Sequence, residues 1–250
     1  PELLKQLTHD FETQMILRNP IIVDKRSLVV LDGNHRVEVF NNLGYNHIIA
    51  CLVDYMDPRI RVGCWYRTLD CGNSQIPITD LLEDYMEFNS DLKTIVGVVN
   101  STKSLAVVLK GRAYISSPHS DLQEAYEALR LLDNRLRKNS FGIGYTSETE
   151  AEQRLLDDTR EAFVVTPTLS KMSIVEMGQS RRRFPSKTSR HIIPARPMGI
   201  DFPLQFLKGP SLYEANRAFF TWVSRRKIHQ LPPRQEFEGR RYEESLLLLR

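Results

Sequence analysis
The chain has 250 residues, 41% of them hydrophobic, enough to bury one large core or two small ones, which excludes disorder for its bulk. Its 34 basic and 31 acidic residues leave a formal charge of +3, so no chain-wide field draws it to nucleic acid or a membrane surface, and any basic function must be local. No run of about 18 apolar residues suggests a membrane span, the start lacks the charged-then-apolar layout of a secretion signal, and Cys51, Cys64 and Cys71 follow no zinc or redox spacing; a reducing, cytoplasmic setting is expected.

Leu3, Leu4, Leu7, Phe11 and Met15 recur at helical spacing from the first residues, and with no initiating methionine before Pro1 the N-terminus is expected further upstream. Ile21, Ile22 and Val23 form a short strand, the polar turn Asp24-Lys25-Arg26 follows, and Ser27 to Leu31 can return as the second half of a hairpin. Asp32-Gly33-Asn34-His35-Arg36 breaks the pattern before Val37, Phe40 and Leu43 repeat helically up to a stop at Gly44. Residues 47–53 and 61–69 read as further strands. Beyond a polar loop, 77–88 reads as a helix and 105–109 with 113–115 as a hairpin turning at Lys110-Gly111. Residues 121–138 form an amphipathic helix with Leu122, Ala125, Leu129, Leu132 and Leu136 on one face. A strand at 141–145, a helix at 148–158, a strand at 162–165 and a helix at 169–177 complete an alternation that favours α/β or α+β architecture.

From Gly178 apolar periodicity fades, and Arg181-Arg182-Arg183 leads into a loop-like stretch through His191. The tail carries an aromatic helical stretch near Tyr213 to Trp222, then Pro232-Pro233 and a charged final helix, and reads as an appendage. These shifts divide the chain into 1–72, 73–178, 179–205 and 206–250.

Two stretches concentrate chemistry. A strand-to-helix turn directs backbone N–H groups and a helix dipole at whatever lies above it; Gly33 permits close approach, and His35 and Arg36 add donors suited to phosphate oxygens. Asp32, at the strand's end, can hold Mg²⁺ through an oxygen or accept a proton from a hydroxyl nucleophile. The same letters also suit an ordinary Asp-Gly turn with Asn34 as cap and Arg36 paired on the surface. Lys187, Thr188, Ser189, Arg190 and His191 set two cations, two hydroxyls and an imidazole on one segment, fit for phosphate or carboxylate or for a solvated basic loop. Trp65-Tyr66 can wall a small pocket or fill a core. His9, His47, His119 and His229 have no partner by spacing.

In this order the segments resemble the free L-serine kinases of the ParB/sulfiredoxin-like superfamily. Asp32-Gly33-Asn34-His35-Arg36 matches their Asp-Gly-His-His-Arg turn with one change, Trp65-Tyr66 matches a Trp-Tyr pair, and Ser186-Lys187-Thr188-Ser189-Arg190-His191-Ile192-Ile193-Pro194 matches a late Pro-Lys-Thr-Thr-Arg-His-Val/Ile-Leu-Pro segment. The likeness covers roughly residues 1–205 and implies a ParB/sulfiredoxin-like domain, a second smaller α+β domain and a helical tail. It implies phosphoryl transfer from ATP or ADP, with Mg²⁺, to the hydroxyl of free L-serine, giving O-phospho-L-serine. Asp32 and His191 would then be catalytic, with Asp32 as a Mg²⁺ ligand. Gly33, Asn34, His35, Arg36, Lys187 and Thr188 would hold the nucleotide, and Trp65, Ser189, Arg190 and His191 the serine. The family's glutamate base falls, by alignment, a few residues before Pro1. Sulfiredoxin would need a cysteine where Asn34 stands, and ParB proteins a different turn followed by a helix-turn-helix. The rival reading is a nucleotide-sensing or DNA-binding regulator using Arg181, Arg182, Arg183, Arg225, Arg226, Arg240 and Arg241.

Overall fold
The computed structural model describes residues 2–70, 74, 76–109, 112–156, 162–180 and 184–250. Cys71, the turn at Lys110-Gly111, the last two residues of the helix expected to Asp158, and Arg181, Arg182 and Arg183 lie outside them. The chain divides into two compact units, Pro1–Arg61 with His191–Arg250, and Val62–Arg190.

In the first unit, Ile21–Asp24 is the centre of a three-stranded sheet, antiparallel to Val30–Asp32 and parallel to Ala50–Val53. All four of its residues are buried, which is why the run is apolar without alternation. The hairpin turn is held by Asp24, whose Oδ2 accepts from Ser27 N–H at 2.9 Å and Ser27 Oγ at 2.6 Å. The helix Asn34–Asn42 crosses back to Ala50–Val53 and buries Val39 and Phe40. These pack with Phe11, Leu17, Phe202, Leu204, Leu207 and Leu249; each such side chain, fully buried, contributes about 1.5–3 kcal/mol.

Residues 206–250 therefore share a core with the N-terminal elements. Their helix, Leu212–Ser224, is present, but the charged final helix is replaced by strands Ile228–Leu231, Gln235–Phe237, Arg240–Tyr242 and Leu246–Leu249. Two physical reasons apply. Glu238 (φ 50°) and Gly239 (φ 70°) form a two-residue hairpin with both central residues left-handed. The four leucines then sit between Ile228–Leu231, antiparallel, and Arg196–Met198, parallel, a position that rewards apolar side chains on both faces. The stretch expected to be loop through His191 likewise ends in a strand, Ser189–Ile192, and the short strands Arg196–Met198 and Phe202–Pro203 follow it.

The second unit is built on strands side by side in the order Arg61–Asp70, Ala162–Val165, Ala106–Leu109, Arg112–Ile115, Met86–Phe88, with Gly142–Ser147 also pairing to Arg61–Asp70. Leu122–Lys138 starts on Asp121, whose Oδ1 caps Glu124 N–H at 2.8 Å, and buries Ala125, Leu129, Leu132 and Leu136 as its periodicity predicts, with Tyr126 added to that face and Leu122 only half-buried. The helix expected over 77–88 is instead a 3-10 turn, Ile78–Leu81, and a strand, Met86–Phe88, whose Glu87 pairs with Tyr114; sheet pairing overrides weak local propensity. A further helix, Leu92–Thr102, begins where Asp91 caps Thr94 N–H at 2.9 Å and buries Ile95 and Val99 in the core around Phe163 and Val165. No helix among the described residues is long and apolar enough to cross a membrane.

Candidate functional site
The strand Val30–Asp32 delivers Asp32 to the start of the helix Asn34–Asn42, with Gly33 between them at φ 102°. A Cβ on Gly33 would lie 2.6 Å from Ile21 Cγ2 and 2.9 Å from Arg36 Nη2, so the turn excludes any side chain there. Gly33, not Asn34, is the N-cap, and it offers no side-chain cap. Val37 N–H closes the first helical bond on Gly33 O at 3.0 Å. The amides before it lack intrahelical partners and, with the dipole, suit an anion. Asn34 is exposed and His35 half-buried at this end.

Arg36 is no surface residue. Its Nη1 donates to Asn19 O at 2.8 Å and its Nη2 to Asp32 Oδ2 at 3.3 Å. The same Oδ2 accepts from Arg196 Nη1 at 3.0 Å. Arg196 is 2% exposed, and its remaining donors go to Glu244 Oε1 at 2.9 Å and to the carbonyl of His191 at 2.7 Å. Burial works to raise the Asp32 pKa, but the charges of Arg36, Arg196, Arg240 and His191 outweigh it and hold the carboxyl below the usual range. The Asp32 side chain is nonetheless 40% exposed, so an ionised carboxylate faces outward from a frame of fixed cations. His191 is buried, with Nε2 2.8 Å from the Tyr55 hydroxyl, whose own pKa burial and the charge of Asp24 push up.

A second cluster lies within the other unit. Trp65 and Arg67 share one face of Arg61–Asp70 while Cys64 and Tyr66 fill the core, so the Trp-Tyr pair splits into one candidate site residue and one packing residue. Lys187 Nζ lies 5.5 Å and the Arg190 guanidinium 5.2 Å from the Trp65 ring centroid, both within cation–π range. Trp65 N–H donates to Thr188 O at 3.2 Å, which fixes the segment against the strand. Lys187 is left-handed at φ 56°, and its carbonyl accepts from Arg67 Nη1 at 3.1 Å. Arg67, fully buried, forms a two-pronged pair with Asp133, 3.3 Å on each arm. Thr188 Oγ1 is buried without a hydrogen-bond partner among the described residues, a polar atom that calls for a ligand or water. Ser189 begins the strand Ser189–Ile192 and is half-buried.

The structure thus gathers Asp32, Gly33, Asn34, His35, Arg36 and His191 in one unit, and Trp65, Lys187, Thr188, Ser189 and Arg190 in the other. Sequence reasoning missed Arg196, Glu244 and Tyr55, which hold the first set, and Arg67, Asp133 and Tyr145, which hold or flank the second. Arg67 had a signal, a lone arginine inside an apolar strand; Arg196, between an alanine and a proline in an apparent loop, had none. The arginines considered for nucleic acid divide: Arg240 bears on Asp32 and lies 4.8 Å from the Tyr242 ring centroid, whereas Arg226 stacks on Trp222 at 4.2 Å. Among the described residues no group of three or more His, Cys, Asp or Glu forms a metal cluster. Cys51 and Cys64 are free thiols, and burial pushes Cys64 up to about 11.

A glycine turn that sets Asp32 at a helix start, on a mixed three-stranded sheet, together with a second α+β unit, defines an α/β protein. No family model matches the chain. It is 31% identical over 173 residues to a ParB-like protein of Sulfolobus acidocaldarius, covering 69% of this chain and 73% of the relative. It is 24% identical over 221 residues to an ATP-dependent L-serine kinase of Staphylothermus marinus, covering 83% and 85%. A solved free serine kinase in complex with AMP superposes with a TM-score of 0.65 at 18% identity, over 82% of this chain and 86% of that one. The chain belongs to the ParB-like family that contains the free serine kinases.

Proposed function
We propose that this protein is a free L-serine kinase that moves the terminal phosphoryl group of ATP or ADP to the serine hydroxyl. The bond from the terminal phosphorus to its bridging oxygen breaks, releasing ADP from ATP or AMP from ADP, a bond forms from that phosphorus to serine Oγ, and the hydroxyl proton is released to water, giving O-phospho-L-serine. The observation that carries this reading is Asp32, ionised and outward-facing beneath a glycine turn, with Arg36 and Arg196 both bound to one carboxylate oxygen. A carboxylate held below the usual range is a weak base. That suits phosphoryl transfer, whose demand is orientation of the nucleophile and charge neutralisation more than proton abstraction.

Gly33, Asn34, His35 and Arg36 are assigned to the nucleotide phosphates at the helix start, and His191 to the catalytic set, its ring oriented by Tyr55. Lys187, Thr188, Ser189 and Arg190 supply donors and charge for phosphate and serine carboxylate, and Trp65 a wall for the small substrate. The residues also fit Mg²⁺: both arginine bonds fall on Oδ2 of Asp32, and a single carboxylate plus substrate phosphates is a common arrangement for this ion. When bound, Mg²⁺ would neutralise phosphate charge. The free thiols support a reducing compartment, and we place the reaction in the cytoplasm.

The test incubates the protein with Mg²⁺, L-serine and either ATP or ADP and reads O-phospho-L-serine by mass spectrometry, beside Asp32→Asn. Product from the wild type and near-loss in the variant is expected. Nucleotide loss indifferent to serine, or normal turnover by the variant, would overturn the assignment.

A further inference from the structure
Independently of the kinase reading, the first unit carries a groove to which no role has been given. Glu214, Arg217, Ala218, Thr221, Trp222 and Arg225 are spaced three and four apart along Leu212–Ser224 and its C-cap and so share one helix face. With Phe206, Arg226 and Arg250 they line a cavity of about 650 Å³, within the range of small-ligand sites. Four arginines face one glutamate there. Among the described residues no carboxylate pairs with Arg217, Arg225, Arg226 or Arg250. The apolar floor is open to solvent, Phe206 being 41% exposed.

Part of the lining is held in place. Trp222 Nε1 donates to Ile200 O at 2.8 Å, the Arg226 guanidinium lies 4.2 Å from the indole centroid, and Arg250 is held by paired main-chain bonds with Lys227 at 2.7 and 2.9 Å. The aromatic floor is thus fixed before a ligand arrives, and the ordering cost falls on Arg217 and Arg225, which are exposed. A second copy of the chain would oppose four arginines with four. The stripe from Glu214 to Arg225 is about 16 Å long, short for a nucleic-acid track.

We propose that this groove is a second ligand site, for a small organic anion with a flat apolar body: the anion meets the arginines and the ring system lies on Phe206 and Trp222.

The probe is 1-anilinonaphthalene-8-sulfonate, titrated into the full chain by calorimetry and fluorescence with and without saturating ADP, beside its uncharged analogue N-phenyl-1-naphthylamine. One saturable site is expected, indifferent to ADP, at least about tenfold weaker for the uncharged analogue and for Arg217→Glu/Arg225→Glu. Thr221→Trp, which fills the groove without changing charge, should abolish it, so the proposal does not hang on one variant's folding. Absence of a saturable site, displacement by ADP, equal affinity for the uncharged analogue, or binding unchanged in both variants would each overturn it. Displacement of the dye by a Glu-rich amphipathic peptide that binds more tightly than the dye would do so as well, by making the face a peptide-docking surface.

Discussion
The two clusters solve opposite electrostatic problems. Around Asp32 a single anion is held by guanidiniums that are themselves fixed, Arg196 by two further acceptors, Glu244 and the carbonyl of His191, and Arg36 by the carbonyl of Asn19. Around Trp65 the charges are positive and lean on aromatic faces, while a rigid ion pair, Arg67 with Asp133, lies beneath them and holds backbone. The first arrangement fixes a charge to within a bond length and suits the reacting atoms. The second offers cations stacked on an aromatic face and suits grip on a substrate. On the kinase reading, damage to the first should therefore appear in kcat and damage to the second in KM.

The sharpest way to break that contrast is Asp32→Asn, expected to lower kcat by about 10²–10⁴-fold with the fold retained, as read by product formation and circular dichroism. If KM alone rose, the contrast would fail. Arg67→Ala leaves Asp133 buried without its cation and should cost about 3–5 kcal/mol in denaturant unfolding, far more than loss of an exposed arginine. Gly33→Ala sets a Cβ against Ile21 in a left-handed conformation; a loss of about 1–3 kcal/mol should accompany weakened nucleotide binding, measured by thermal shift with and without ADP. Lys187→Met should raise the KM for serine or nucleotide by about tenfold while changing kcat little.

The smallest effect concerns pH. The folded pKa of Asp32 is lowered, so the stability its ionisation contributes is present above the unfolded carboxylate value and is lost as pH falls through the folded one. Arg196→Gln removes one of the cations opposing protonation, so the acid limb of kcat/KM should move up by about one pH unit, with Arg196→Lys restoring part of the shift. An unmoved acid limb in an active Arg196→Gln enzyme would show that Arg196 serves packing alone.

Much of this was legible along the chain. The hairpin before Asp32, the break at Gly33, the helix over 122–138 and the strand at 162–165 follow from short-range rules: turn chemistry, caps and the period of apolar residues. The late segment was marked by its density of donors even though its strands were not read. Three things were decided only in three dimensions. Leu246–Leu249 became a strand because two other strands flank it, and a four-residue apolar run carries no period of its own. Met86–Phe88 became a strand because Arg112–Ile115 offered it an edge. Arg196 came to Asp32 from 164 residues away, and an ion pair of that span leaves no trace in local spacing. The sequence by itself determined where the turn and the helix start lie, because those depend on neighbours in the chain; which cations would face Asp32 was decided by the tertiary structure, because that depends on neighbours in space.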